Sequence, residues 1–341
     1  MTTPINLMGA PGSPYTRKML SLMRFREIPF RVHWTTGQVP KGFPKPKVAL
    51  LPTYFLPGKG GEIVAVTDST PLIRRFEKAY EGRSVIPADP IMAFFNDLIE
   101  DFADEWLTKV MFHYRWAHEA DTKNAGPLLV FWGSSVIDDG TAKGLSDYFT
   151  KRQVDRLYVV GSNETTRPII EAAYIRFVSI LDRLIAQEGY VLGGRPSSAD
   201  FAIFGQMTQI GIIEPTSAKI TRDISARVRA WIDRMEDLSG LSPKADDWFD
   251  ASTIKVVLRS LLTEIGRTYV PVMLANAKAV MTGEKTFETR VDDAPWTQPS
   301  FRYQAKTLGW IRESYFDLKP KDQNQVDEIL RGTGCEALFE T

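Results

Sequence analysis

Three short groups of residues near the N-terminus carry side chains that can do chemistry. The first is Ser13-Pro14-Tyr15-Thr16-Arg17, which follows a short apolar run, Ile5 to Met8, and the turn Gly9-Ala-Pro-Gly12. Serine is a good N-cap and proline suits the first helical position, so a helix is expected to open here. A hydroxyl at that point either caps the helix and does nothing more, or donates to an anion held at the positive end of the helix dipole. The second group is Leu51-Pro52, ahead of a β-rich run, where the proline either starts a strand in the ordinary trans form or marks a cis turn. The third is Asp68-Ser69-Thr70-Pro71, another helix start. Its free backbone N–H groups and serine hydroxyl suit a carboxylate, and its acidic side chain suits an ammonium; a plain N-cap explains the same residues. Lys41, Lys45 and Lys47, with Gln38 nearby, place cations in the loop between these groups, where a solvated loop face accounts for them as well.

Composition narrows the choices. The chain has 341 residues, 43% hydrophobic and 25% charged, the balance of an ordinary globular protein with two or three domains. Lys plus Arg and Asp plus Glu are each 42, so there is no overall attraction to nucleic acid or to an acidic membrane surface. Cys335 is the single cysteine, which excludes an internal disulfide and reads as an ordinary thiol in a reducing compartment. No basic stretch followed by an apolar run opens the chain, and no apolar run approaches the ~18 residues that would span a bilayer. A cytoplasmic location without a membrane partner is therefore expected. His113 and His118 lack a metal-ligand partner pattern, so no metal is expected. Gly9-Ala-Pro-Gly12 lacks the Gly-Lys-Ser/Thr ending of a phosphate loop.

The elements that must position these residues can be read in order. Residues 1–84 alternate as mixed α/β: a strand at Ile5 to Met8, the helix from Ser13, and a strand at Pro29 to Trp34. Two β-rich runs come next, Leu51 to Leu56 and Glu62 to Val66, joined by the turn Pro57-Gly-Lys-Gly-Gly61, and then a helix from Asp68 to about Tyr80. Residues 84–90 read as a linker, and 90–248 as helical. Phe94, Phe95, Leu98, Phe102, Trp106 and Val110 mark one amphipathic helix from Ile91 to about Trp116. A Gly-rich insertion near 121–150 reads as irregular or as a loosely linked helix pair. Strong helices are expected at Thr166 to Gln187, Ser197 to about Ile213 and Ile224 to Glu236. Residues 249–341 read as a mostly helical extension, with a long helix from Ile254 to Met281 and a polar hairpin around Asp292-Asp293.

The β-α-β-loop-β-β-α order, with the three groups in these places, resembles the glutathione transferase superfamily over about residues 1–240. It implies an α/β plus all-α fold: a thioredoxin-like N-terminal domain, then the family's helical C-terminal domain. Gly194-Arg-Pro-Ser197-Ser-Ala-Asp200 resembles the capping motif of that second domain, with Ser197 and Asp200 at capping-box spacing. The whole chain resembles a long bacterial subgroup. The resemblance implies that Ser13 sits where theta-like and zeta-like members place a catalytic serine. It implies a cis Leu51–Pro52 bond whose preceding backbone pairs with the cysteinyl amide of glutathione. It implies that Asp68 and Ser69 hold the γ-glutamyl end, and that a loop cation, Lys41 or Lys45, meets the glycine carboxylate. With Ser13 and Thr16 where redox relatives carry cysteines, dithiol chemistry at this corner is excluded.

On this reading glutathione is a co-substrate. A thiol with an unperturbed pKa of ~8.5 is lowered at Ser13 and attacks a small hydrophobic electrophile. The electrophile is expected against the first long helix of the helical domain, with Glu100, Asp101, Asp104, Met111, Tyr114 and Arg115 as candidates and Met111, Tyr114 and Arg115 preferred. Two other readings stay open: a non-catalytic binding or scaffold protein on the same fold, and glutathione-dependent peroxide reduction. A homodimer is implied by the resemblance alone. Residues 249–341 are expected either to pack over the cleft or to enlarge a dimer interface.

Overall fold

The structure is a computed structural model that describes residues 3–35 and 37–340. β1 (Ile5–Gly9) leads into α1 (Pro14–Phe25), then β2 (Phe30–Trp34), β3 (Thr53–Pro57), β4 (Ile63–Val66) and α2 (Ser69–Ala79). The strand order is β2-β1-β3-β4. β1 runs parallel to β2, with Leu7 opposite Val32, and antiparallel to β3, with Leu7 opposite Tyr54. A parallel pair needs a crossover, which α1 supplies, whereas β3 and β4 need only the glycine-rich turn in which Gly61 takes a φ of 84°. This is a thioredoxin-like domain, and its central strand buries Ile5, Leu7 and Met8.

Beyond α2 the chain is mostly helical. α3 (Pro90–Phe102) and α4 (Thr108–Ala117) are joined by a π turn, Ala103–Leu107, so the one helix expected from Ile91 to Trp116 is interrupted within its buried face. α5 (Glu119–Phe131) and α6 (Asp139–Val154) are a packed pair where the sequence looks irregular. Gly126 permits their approach: a Cβ there would lie 2.5 Å from the Thr150 hydroxyl and 2.7 Å from that of Ser146. α7 (Arg167–Glu188) and α8 (Ser198–Thr208) form the centre of the helical part, and a second π turn, Gln209–Ile213, leads to α9 (Pro215–Ile224) and α10 (Ala226–Met235). The Ser197–Asp200 capping box starts α8, and Asp200 also accepts from the Val191 amide at 2.9 Å. Sequence periodicity gives no separate helix at α9.

The last stretch contains α11 (Ala251–Val257), α12 (Arg259–Thr282), the hairpin β5 (Thr286–Val291) and β6 (Ala294–Pro299), α13 (Arg302–Phe316) and α14 (Pro320–Leu330). The hairpin turns on Asp292 and Asp293, with φ of 52° and 61°, a pair of left-handed residues that matches strand twist. The buried apolar residues form one contiguous cluster from Ile5 to Leu338, so α12, α13 and α14 share the core of the preceding elements. No helix among the described residues is long and apolar enough to cross a membrane.

The first turn of α1 is placed by α8. A Cβ on Gly205 would lie 2.5 Å from the Pro14 carbonyl oxygen and 3.0 Å from the Lys18 Cβ, so glycine sets the spacing of the two helices. Gly205→Ala is expected to destabilise the protein by about 1–3 kcal/mol through overpacking. Gly144→Ala, whose added methyl meets no atom of the described residues within 4 Å, should be neutral or stabilise by up to about 1 kcal/mol. Urea unfolding of the two variants checks the contrast; equal effects would mean that the α1–α8 contact yields freely.

Candidate functional site

The strand-to-helix corner lies on the floor of a cleft of about 980 Å³. Its N-domain wall comes from Gly12, Ser13, His33, Trp34, Gln38, Lys41 and Leu51. The opposite wall is α5, α6 and their connection, through Leu129, Val130, Ile137, Leu145, Tyr148 and Phe149. The two walls meet at Gly12, where a Cβ would lie 2.7 Å from Leu129 and 2.6 Å from Trp132. Leu145 and Tyr148 are 48% and 70% exposed, so apolar surface stands open at this cleft and favours an apolar ligand.

Ser13 caps α1. Its Oγ accepts from the Thr16 amide at 3.2 Å and donates to the Leu51 carbonyl at 3.2 Å. Pro14 has no N–H to offer, so the hydroxyl is the polar group presented at the very start of this helix. The Leu51–Pro52 peptide bond is cis. The corner is held from behind by Arg115, a buried residue of α4 that donates to the Gly12 carbonyl at 3.0 Å, to Gln209 at 2.6 Å and to Glu214 at 2.5 Å. Tyr15 points away from the cleft, its hydroxyl donating to the Asp104 carbonyl at 2.7 Å.

The other expected residues fall into three sets. Lys41 lines the cleft, whereas Lys45 is exposed and outside its lining. Asp68 and Ser69 start α2 beyond the cleft wall. Asp68 takes a φ of 85°, unusual for a residue with a side chain, and accepts from the Tyr303 hydroxyl of α13 at 2.9 Å. Ser69 is buried and accepts from the Lys18 ammonium at 3.4 Å. Met111, Tyr114 and Arg115, expected at the electrophile site, do not line this cleft. Their stripe faces inward: Tyr114 is fully buried, stacked on His118 and edge-on to Tyr174, and Arg115 is the clamp on the Gly12 carbonyl.

Behind α2 lies a buried charge cluster that sequence spacing does not disclose. Lys18 reaches Glu100 at 2.8 Å and Asp104 at 2.6 Å, all three nearly inaccessible. Arg74 of α2 pairs with Glu100 at 2.7 Å and with Asp97. Asp101 accepts from Tyr269 at 2.5 Å and from Thr307 at 3.3 Å, and Glu105 from Gln304 at 2.8 Å. Burial pushes the Asp104 carboxyl up to about 7 against the pull of Lys18. Burial also raises Asp101, with Glu105 adding to it. Glu100 is the exception: burial raises it, but Arg74 and Lys18 overcome that and hold it below the ordinary carboxylate range.

Residues 7–84 match the family model for the N-terminal domain of glutathione S-transferases. No curated protein matches the chain. Among solved structures, the chain is similar to a glutathione S-transferase from Methylobacterium radiotolerans in complex with glutathione sulfonate, at 15% identity and a TM-score of 0.38, over 71% of this chain and 99% of that one. It is similar to a GST-like protein from Pseudomonas syringae at 17% identity and a TM-score of 0.42, over 75% and 74%. It is also similar to a Tau class glutathione S-transferase from mango, Mangifera indica, at 13% identity and a TM-score of 0.40, over 74% and 95%.

The charge cluster predicts a pH dependence. Asp104 has an ordinary value of 3.8 and a folded value of about 7, so between these the folded state binds more protons than the unfolded one. Its contribution to stability therefore falls as pH rises from about 4 to about 7 and is constant above. Asp104→Asn removes this contribution, so relative to wild type the variant should gain stability on going from pH 5 to pH 8, by on the order of a few kcal/mol. Thermal melts at both pH values check it; a difference between the proteins that does not change with pH would contradict it.

Proposed function

We propose that this protein binds glutathione with its thiol at Ser13 and transfers it to a small apolar electrophile lodged against α5 and α6. The observation that carries the reading is the Ser13 hydroxyl at the start of α1, hydrogen-bonded to the carbonyl that precedes a cis proline, on the floor of a cleft with an apolar far wall. The match of residues 7–84 to the glutathione S-transferase N-terminal domain supports it.

In this proposal Ser13 turns its proton from the Leu51 carbonyl to the sulfur. The hydroxyl and the helix start together favour the thiolate and lower the thiol pKa by about one unit or more. The freed Leu51 backbone then pairs with the cysteinyl amide. Lys41, already on the cleft wall, meets the glycine carboxylate, and Asp68 takes the α-ammonium at the γ-glutamyl end, with Ser69 beside it. The thiol proton passes to solvent, and the thiolate is held next to an apolar surface where an electrophile accumulates. It forms the S–C bond as the electrophile's carbon–oxygen or carbon–halogen bond breaks and its oxygen or halide leaves with the bonding electrons; proximity supplies the remaining acceleration. Leu129, Val130, Leu145 and Phe149 replace Met111, Tyr114 and Arg115 as the electrophile wall. The family resemblance adds a cytoplasmic homodimer to the proposal; the solution mass measured by light scattering decides the oligomeric state.

Calorimetric titration of glutathione into wild type and Ser13→Ala, with the thiolate's ultraviolet absorbance followed against pH, tests the core of the reading. Binding to both proteins, with a lowered thiol pKa in wild type only, is expected. Failure of wild type to bind glutathione overturns the enzyme and favours a scaffold. A second experiment separates the subsites. Asp68→Asn should weaken glutathione about tenfold, the scale of a hydrogen bond to a charged group. It should leave the dipeptide Cys-Gly, which lacks the γ-glutamyl end, unaffected. Tyr303→Phe, which loses the Asp68 contact, should change glutathione affinity in the same selective way but less. Equal loss for both ligands would remove Asp68 from the γ-glutamyl site.

A further inference from the structure

His113, His118 and Glu171 come together from two distant parts of the chain, on the side of α4 that the proposed glutathione chemistry does not use. His113 lies within α4, His118 is the joint between α4 and α5, and Glu171 projects from the first turns of α7. Their nearest ligand-type atoms all lie within 4.8 Å of one another. Glu171 Oε1 is 3.4 Å from His113 Nε2 and 3.2 Å from His118 Nε2. A tetrahedral ion with bonds of about 2.0–2.1 Å sets its ligand atoms about 3.3 Å apart, so both spacings suit a shared ion.

The orientation of His118 adds an independent observation. Its Nε2 is shielded from solvent and has no hydrogen-bond partner among the described residues, although the carboxylate oxygen is 3.2 Å away. A hydrogen bond needs the ring N–H aimed at the oxygen, whereas coordination needs both lone pairs aimed at a third point. The neighbouring groups also match what a coordinated imidazole requires. His113 Nδ1 is 2.7 Å from the Ser162 hydroxyl, which fixes the ring; with the proton on Nδ1, the Nε2 that meets Glu171 Oε1 at 3.4 Å in hydrogen-bonding geometry becomes the ligand atom. The His118 ring is stacked on Tyr114. The nearby Arg167 guanidinium is directed elsewhere, to the Ala117 carbonyl and to Glu164, each at 3.3 Å.

We propose that His113, His118 and Glu171 form a site for a divalent transition metal, with zinc as the fitting ion and a water completing the tetrahedron. Two imidazole nitrogens and one carboxylate oxygen suit zinc, cobalt or nickel, and are wrong for magnesium or calcium, which take oxygen ligands. Sequence spacing alone does not assemble the trio, because the third ligand comes from another helix. The ion fastens the α4–α5 joint to α7, and α5 carries Leu129 and Val130 to the cleft wall, so the site braces that wall from behind.

The chain has three histidines, His33, His113 and His118, which leaves one histidine as an internal control. Tag-free, chelator-treated protein is titrated with zinc chloride, and in parallel with cobalt chloride to read the visible spectrum. Wild type and His33→Ala are expected to bind one zinc ion at micromolar or tighter affinity. They should melt higher in its presence and give the intense visible bands of tetrahedral cobalt. His118→Ala and Glu171→Gln should fold, lose at least tenfold in zinc affinity and lose the cobalt spectrum. Magnesium chloride should do nothing. Absence of saturable zinc binding by wild type overturns the proposal, as does binding that both variants retain or that His33→Ala abolishes.

Discussion

The burial of the Lys18 ammonium constrains much of this molecule. A lysine out of water needs counter-charges in place, and removing one partner leaves an uncompensated buried charge at a cost of about 3–5 kcal/mol. Here Glu100 on α3, held ionised, supplies one, and Asp104 in the π turn after it supplies a second as pH rises through about 7. The N-terminal sheet domain is thereby tied to the helical part through a polar joint as well as an apolar one. The π turn belongs to the same arrangement. Its wider winding carries Asp104 and Glu105 inward together, and Tyr15 from the first turn of α1 bonds to the Asp104 carbonyl inside it. A joint of this kind fixes geometry more firmly than it adds stability, because the desolvation of its members offsets most of their attraction.

The serine corner inherits its position from that joint. Lys18 is little more than one turn along α1 from Ser13, and Gly205 sets how close the same helix lies to α8. Arg115 then clamps the Gly12 carbonyl from behind, with its own charge met by Glu214. The hydroxyl of Ser13 is therefore carried on a rigid element while the cleft wall opposite it, on α5 and α6, is partly exposed. In the proposed function, a fixed hydroxyl facing a more open apolar surface would present one bound thiol compound to varied apolar electrophiles.

What was legible in the sequence is what local chemistry decides. Ser13-Pro14 specifies a helix start by capping and a fixed proline φ, Ser197 and Asp200 a capping box, and Asp292-Asp293 a tight turn. Each signal is complete within a few residues, and each appears in the structure where its residues stand. Lys18 could not be read this way, since on an amphipathic pattern a lysine counts as a solvent-facing residue until its partners, far along the chain, are known. Met111, Tyr114 and Arg115 were found as one face of a helix, but periodicity gives a face without saying what it meets, and this one meets the core. The α5–α6 pair was obscured for the opposite reason. Gly126, Pro127, Gly140 and Gly144 break helical propensity, and the helices are held by packing on each other and on the corner at Gly12.

The final stretch, α11 to α14, cannot be regarded as an appendage to a finished two-part fold. Tyr269 and Thr307 supply hydrogen bonds to Asp101, and Gln304 supplies one to Glu105; without them these carboxyls face a low-dielectric interior with like charges as neighbours. An acidic cluster of that composition is tolerable only if the elements that satisfy it are present, so α12 and α13 are part of what makes residues 97–105 foldable. The same helix α13 that completes the cluster sets Tyr303 on Asp68. The surroundings of the α2 start are thus determined jointly by the N-terminal domain and by a segment more than two hundred residues downstream. Any ligand group received at Asp68 and Ser69 must be accommodated by both.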